Sequence, residues 1–221
     1  MKISINLLLQ KCIKRYLVGQ SQRIVVASTG RAGSTLLVEA ISDAYVKKNF
    51  TSYPQELQSY LSKCASEFLV NISDVTEATA PIIKTHDTYN PEMLKNCKCV
   101  FIYGDPLESA LSCKRVEEHL GQEFTEMHIK HLKGFGSPND ILERDVLNYE
   151  GQLRSWQFAK NTLQIDYRTL WERQDALSDF LDMPVPLPAK KNRHVYDQTV
   201  THNAELFGYL RELYKTFPNL D

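Results

Sequence analysis

The chain has 221 residues, a length that suits one large α/β domain and is long for two ordinary ones. Its 43% hydrophobic and 24% charged residues allow a sizeable core, and a formal net charge of -1 speaks against a nucleic-acid partner. Five cysteines (Cys12, Cys64, Cys97, Cys99, Cys113) are odd in number and scattered, which reads against a disulfide framework and for reduced thiols in the cytoplasm.

In residues 1–20, Ile5, Leu8, Leu9, Cys12 and Ile13 share one helical face, which predicts an amphipathic helix packed on a domain spanning 21–221. The apolar run is far short of the ~20 residues of a membrane span. It also precedes Lys11, Lys14 and Arg15, the reverse of a signal peptide, so neither a span nor a leader is expected. Strands are predicted at Arg23–Ser28, Ala80–Thr85, Lys98–Tyr103 and Thr162–Tyr167, the third of them central. Helices are predicted at Ser34–Ser42, Gln55–Leu69, Leu107–Leu120, Asp140–Asn161, Leu170–Leu181 and Ala204–Phe217. The polar stretch Gly121–Asp140, with Gly134, Gly136 and Pro138, reads as a mobile loop or lid, and Met183–Asp197 as a Pro- and Lys-rich loop. Alternating strands and helices predict a single-domain α/β fold with a central parallel sheet covered on both faces and a P-loop-like strand–turn–helix. Ligands of such folds bind at the carboxyl ends of the strands.

The first turn, Thr29-Gly-Arg-Ala-Gly33, joins a buried strand to a helix that opens on Ser34 and Thr35. Gly30 and Gly33 let the backbone approach a phosphate, the helix N-terminus offers free N–H groups, and Arg31 adds a full charge. The plainer alternative is a glycine turn with Ser34 capping the helix. A Walker A loop would carry lysine after the second glycine; here Ser34 stands there, which weakens an ATPase or kinase reading.

Arg31-Ala-Gly-Ser-Thr-Leu-Leu37 resembles the 5′-phosphosulfate loop of sulfotransferases that use 3′-phosphoadenosine-5′-phosphosulfate (PAPS). By that resemblance Gly30, Arg31, Ala32, Gly33, Ser34 and Thr35 hold the 5′ end of the donor.

Lys84 and His86 lie two apart at the end of a short strand, so both side chains can face one site. Sulfuryl transfer needs a base for the acceptor proton and positive charge on the leaving oxygen, roles that suit histidine and lysine. Without further support, a lone strand-end histidine bonded to a backbone carbonyl is the simpler account. Lys84-Thr-His86 is also similar to the strand-end triplet of cytosolic sulfotransferases, where the histidine is the base. The resemblance therefore makes His86 the general base and Lys84 the leaving-group stabiliser, with Arg31 sharing the charge. Asp87 is the second candidate base, because some carbohydrate sulfotransferases use a carboxylate.

Val100 to Ser112 is similar to the family's 3′-phosphate segment, with Pro106 and Ser112 in place. The family's arginine position is Gly104 here. Arg115, Lys114, Lys190, Lys191 or Arg193 is then the candidate replacement; a weakened or different donor is the alternative. A missing charge-assisted hydrogen bond is worth ~1.5–3 kcal/mol. Further on, Tyr149–Trp156, Tyr167, Leu170, Phe180 and Leu181 follow the family's order, which places Tyr167 near the adenine or 3′-phosphate, and Lys190-Lys-Asn-Arg193 occupies the place of its late basic loop. His128 and His131 have i, i+3 spacing but no nearby cysteine or paired carboxylate, so no metal site is expected.

The resemblance thus implies sulfuryl transfer from PAPS, without a metal, to a hydroxyl or amine of a small-molecule or carbohydrate acceptor, leaving adenosine 3′,5′-bisphosphate. The acceptor pocket is expected between Thr51–Tyr60, Asp87–Pro91 and Gly121–Asp140, stretches whose Tyr, Thr and His suit a sugar, a phenol or an alkyl alcohol. Two rivals stand beside it: a magnesium-dependent P-loop phosphotransferase or hydrolase, and a non-catalytic nucleotide-binding relative, which Gly104 keeps open.

Overall fold

The structure, a computed structural model, describes residues 22–190 and 200–217. The expected N-terminal helix of residues 1–20, Lys191 and Arg193 lie outside the described residues.

Five parallel strands form the sheet: β1 (Ile24–Ser28), β2 (Ser66–Leu69), β3 (Ile82–Thr85), β4 (Lys98–Tyr103) and β5 (Thr162–Asp166), in the order β2-β3-β1-β4-β5. All five residues of β1 are buried, as expected of a β-branched strand covered on both faces. The central strand is therefore β1 rather than the expected β4. Its register sets Val26 beside Lys84 and Val100, and Ala27 beside Thr85 and Phe101.

Around the sheet lie α1 (Ser34–Asn49), α2 (Gln55–Cys64), a short α3 (Pro91–Leu94), α4 (Pro106–Leu120), α5 (Gln122–His131), α6 (Tyr149–Trp156), α7 (Gln174–Leu181) and α8 (Ala204–Lys215). The period of two along each strand divides the core. Val25, Ala27, Ile83, Cys99, Phe101 and Tyr103 point to one face, where Ile129, Leu153, Trp156 and Leu210 cover them. Ile24, Val26, Ile82, Val100, Ile102 and Ile165 point to the other, under Leu37, Ile41, Leu61 and Leu177.

Several expected elements differ: α1 runs on past Ser42 to Asn49, and α7 starts at Gln174 rather than Leu170. The helix expected through Leu69 stops at Cys64, and Ser66–Leu69 is an edge strand paired with β3. Long-range bonds decide this: the Glu67 carboxylate accepts from Thr79 N (2.6 Å), Thr79 Oγ1 (3.0 Å) and Ala80 N (3.2 Å) in the approach to β3. The stretch expected as a mobile loop holds α5, where Thr125, His128 and Ile129, with Leu132 just past its end, are buried at helical spacing. The long helix expected from Asp140 is the two-turn α6. Asn148 has a left-handed backbone (φ 54°), and the Asp145 carboxylate accepts from the N–H groups of Tyr149 (2.7 Å) and Glu150 (2.9 Å), starting the helix there.

β1 has β3 on one side and β4 on the other, so the chain order reverses around it. The crevice at the carboxyl ends of these strands is where an open α/β sheet places its ligand.

Candidate functional site

Residues 29–33 leave β1 and enter α1 through three positions of positive φ: Gly30 at 77°, Arg31 at 51° and Gly33 at 84°. Such a left-handed loop ahead of a helix turns successive N–H groups toward one point and adds the partial positive charge of the helix start. Gly33 is required twice over. A Cβ there would lie 2.3 Å from Cε2 of Tyr167, besides demanding a left-handed L-residue. Arg31 accepts a strained backbone, and its Nε donates to Ser112 Oγ on α4 (3.2 Å).

β3 delivers Lys84 and His86. Lys84 Nζ donates to Thr35 Oγ1 on the first turn of α1 (2.7 Å), and burial, together with the Arg31 charge, pulls its ammonium below the usual lysine range. His86 is only 5% exposed. Its Nδ1 lies 3.2 Å from the Ser28 carbonyl oxygen and 3.0 Å from Ser28 Oγ. A carbonyl can only accept, so the tautomer that uses this bond carries its proton on Nδ1 and leaves Nε2 with a lone pair. Burial, with the Lys84 charge second, pushes the imidazole down to about 4, so it is neutral at neutral pH. The chain just beyond is clamped to α6: Gln152 Nε2 donates to the His86 carbonyl, and the Trp156 indole to the Asp87 carbonyl (3.1 Å).

These groups line one cavity of about 660 Å³, with Arg31, Gly33, Ser34, Thr35, Lys84, His86, Ser112 and Arg115 on its polar side. Its other wall is Leu36, Phe68, Phe124, Met127, His128 and His131. Phe68 packs against His86 and His131, with ring centroids 5.6 and 4.9 Å apart.

The structure brings Arg31, Gly33, Ser34, Thr35, Lys84, His86, Ser112 and Arg115, all singled out in the sequence, to one cavity. Gly30 and Ala32 lie in the loop behind it, and Ala32 is fully buried. The Tyr167 ring lies on Gly33 and meets Trp171 edge-on at 5.5 Å, beside the loop and outside the lining of this cavity. Asp87 is also otherwise engaged, since its carboxylate accepts from Ile72 N and Thr88 N (2.8 Å each) and lies 4.0 Å from Lys133. Among the candidate replacement cations, Arg115 lines the cavity, whereas Lys114 pairs with Glu117 (3.2 Å) and Lys190 donates to the Arg168 carbonyl (3.1 Å).

Of the three expected acceptor stretches, only Gly121–Asp140 contributes to the cavity, through Phe124, Met127, His128 and His131. Thr51–Tyr60 lies largely exposed on and ahead of α2. Phe68 sits on the unforeseen strand β2, and the glycines that flank α5, with its charges, obscured an i, i+3, i+4, i+7 burial pattern. Among the described residues no group of three or more His, Cys, Asp or Glu is arranged to hold a metal, and no helix is long and apolar enough to cross a membrane.

No protein-family model matches the chain, and neither does any curated protein. Among solved structures, it is similar to retinol dehydratase in a complex with retinol and PAP, at 18% identity and a TM-score of 0.42. That match covers 78% of this chain and 63% of the other, so the chain spans less than two thirds of that protein's length. It is also similar to retinol dehydratase in complex with androsterone and the inactive cofactor PAP (17% identity, TM-score 0.42, 95% and 70% covered). A third likeness is to a mouse sulfotransferase complexed with PAP (14% identity, TM-score 0.42, 91% and 68% covered).

Proposed function

We propose that the chain is a sulfotransferase that moves a sulfuryl group from PAPS to a hydroxyl group on an acceptor with a substantial apolar body. One observation carries this reading: His86, tied through Nδ1 to the Ser28 carbonyl, presents a neutral Nε2 in the same cavity as Lys84, Arg31 and the start of α1.

The residues present fit the 5′ end of such a donor. Left-handed backbone at Gly30, Arg31 and Gly33, hydroxyls of Ser34 and Thr35, and the charges of Arg31 and Lys84 converge on one anionic group. For a 3′-phosphate the fit rests on Ser112 and Arg115, because Gly104 offers no side chain. The donor supplies a sulfuryl group on a phosphate leaving group. Nε2 of His86 removes the acceptor proton, a step worth roughly 10²–10⁴-fold. Lys84 and Arg31 balance the negative charge that grows on the leaving oxygen. Thr35 holds the Lys84 ammonium in place for that role. Phe68, Phe124, Met127 and Leu36 exclude water and favour an aromatic or polycyclic alcohol over a sugar.

The test is an assay of adenosine 3′,5′-bisphosphate release from PAPS against a panel of phenols, apolar alcohols and sugars. Turnover with an apolar acceptor, lost in His86→Asn while the bisphosphate still binds, supports the proposal. Binding without turnover for every acceptor would favour a non-catalytic binder, the reading that Gly104 keeps open.

A further inference from the structure

One buried group in the cavity has no part in the transfer described above. His128, on α5, is 8% exposed, and its Nε2 has no hydrogen-bond partner among the described residues. Its place is fixed from two sides. Phe124, one turn earlier, stacks on it with centroids 5.8 Å apart and planes 13° apart, and His86 meets it edge-on at 5.5 Å. Nε2 is aimed at the turn after β1, for a Cβ on Gly30 would lie 2.9 Å from it.

A buried polar atom without a partner is rare and calls for a ligand or an ordered solvent molecule. The charged and titratable groups that act on this ring are His86, Arg31, His131 and Lys84. Arg31 and Lys84 are hydrogen-bond donors only, and they surround the same space. The group that completes the arrangement is therefore an acceptor with negative charge. The start of α1 points to the same conclusion, since its free N–H groups and Ser34 line that cavity.

We propose that His128 Nε2–H is a neutral hydrogen-bond donor to an oxygen of the tetrahedral oxyanion seated in the loop 29–35, so that α5 closes the anion site from the side opposite α1. The assignment rests on the loop being an anion cradle; it does not depend on which group is transferred. It gives Gly30 a second purpose beyond its φ of 77°, because a side chain there would fill the path from Nε2 to the loop. It also separates two imidazoles in one cavity: His86 offers a lone pair, and His128 offers a proton.

Calorimetric titration of inorganic sulfate and of adenosine 3′,5′-bisphosphate into wild type, Arg31→Ala, His128→Phe and His128→Gln tests the proposal. His128→Phe keeps a ring for Phe124 to stack on but removes the donor, and is expected to weaken both ligands about tenfold. His128→Gln restores an N–H and is expected to stay within about threefold of wild type. Binding lost in Arg31→Ala but unchanged in His128→Phe overturns the role of His128 and leaves the cradle standing. Absence of binding to wild type overturns the cradle, and this proposal with it. Should His128→Phe fail to fold, ¹⁵N spectra of the wild-type imidazoles decide. A protonated Nε2 on His128 whose signal moves on adding sulfate supports the assignment; an unprotonated Nε2 in the sulfate-bound protein overturns it.

Discussion

His86 Nδ1 lies 3.2 Å from the carbonyl oxygen of Ser28, a residue 58 positions earlier in the chain, at the end of the neighbouring strand. β1 and β3 run in parallel register from Ile24↔Ile82 to Ala27↔Thr85, which brings Ser28 level with His86. Sheet pairing thus sets Nδ1 against a carbonyl that can only accept, and the tautomer that uses this bond leaves the lone pair on Nε2.

The acid limb of the rate profile follows from that burial. Only the neutral imidazole can accept a proton, and burial holds His86 at about 4 rather than 6.5. kcat/KM is expected to be level from about pH 6 to neutrality and to fall on an apparent pKa near 4. The alkaline limb should appear below 10.5, as Lys84 loses its proton. A limb at 6.5 in a kcat/KM titration would show that His86 is solvated or is not the base.

Stability should carry the same signature. His86 and His128 titrate at about 4 and 3 in the fold, each against 6.5 when unfolded. From 6.5 down to about 4 for His86 and about 3 for His128 the unfolded chain binds more protons, so stability is full above 6.5 and declines as pH falls through that window. Urea unfolding at a series of pH values checks this, and His128→Gln is expected to flatten the decline.

Arg31→Gly is expected to separate binding from stability. The arginine occupies a left-handed backbone (φ 51°), a strain on the order of 1–3 kcal/mol that glycine relieves. The lost bond to Ser112 costs about 1 kcal/mol in the other direction. Thermal unfolding should therefore change by no more than about 2 kcal/mol, while affinity for adenosine 3′,5′-bisphosphate falls at least roughly tenfold.

Gly33→Ala is expected to destabilise by about 2–3 kcal/mol, from a left-handed alanine and the Tyr167 ring 2.3 Å away. Combining it with Tyr167→Ala removes the clash and leaves the φ strain. The double variant should therefore unfold at lower cost than the sum of the two single changes, a coupling that a double-mutant cycle in urea would read.

Gly104 tests the missing charge. A Cβ there would stand 3.7 Å from Ala32 Cβ, an ordinary contact, so Gly104→Ala is expected to fold normally. Gly104→Arg is expected to raise affinity for adenosine 3′,5′-bisphosphate about tenfold and to leave adenosine 5′-phosphate unchanged. Equal gains for both nucleotides would show that this position does not face a 3′-phosphate.

The polar wall of the site was legible in the sequence because its chemistry is local. Gly30 to Thr35 and Lys84 to His86 are short segments in which turn, strand end and side-chain type fix one another. The strand–helix alternation was legible for the same reason: β1 and β4 are short runs rich in β-branched and aromatic residues, and β3 and β5 are short segments built on Ile and Leu, which fit a sheet buried on both faces.

Tertiary structure decided the rest, where the partners are remote in sequence. Ser66–Leu69 is a strand because β3 offers a free edge and Glu67 ties its far side to Thr79 and Ala80. Asp87, chemically able to be a base, is committed to Ile72 and Thr88 by the way the chain leaves β3. Arg31 meets Ser112 across 81 residues, and α5 brings Phe124 and His128 over a loop almost a hundred positions earlier. Local propensity fixes which chemical groups a segment carries and how it bends. Which groups share one desolvated cavity is set by long-range packing, and that packing makes His86 neutral and leaves His128 Nε2 without a hydrogen-bond partner among the described residues.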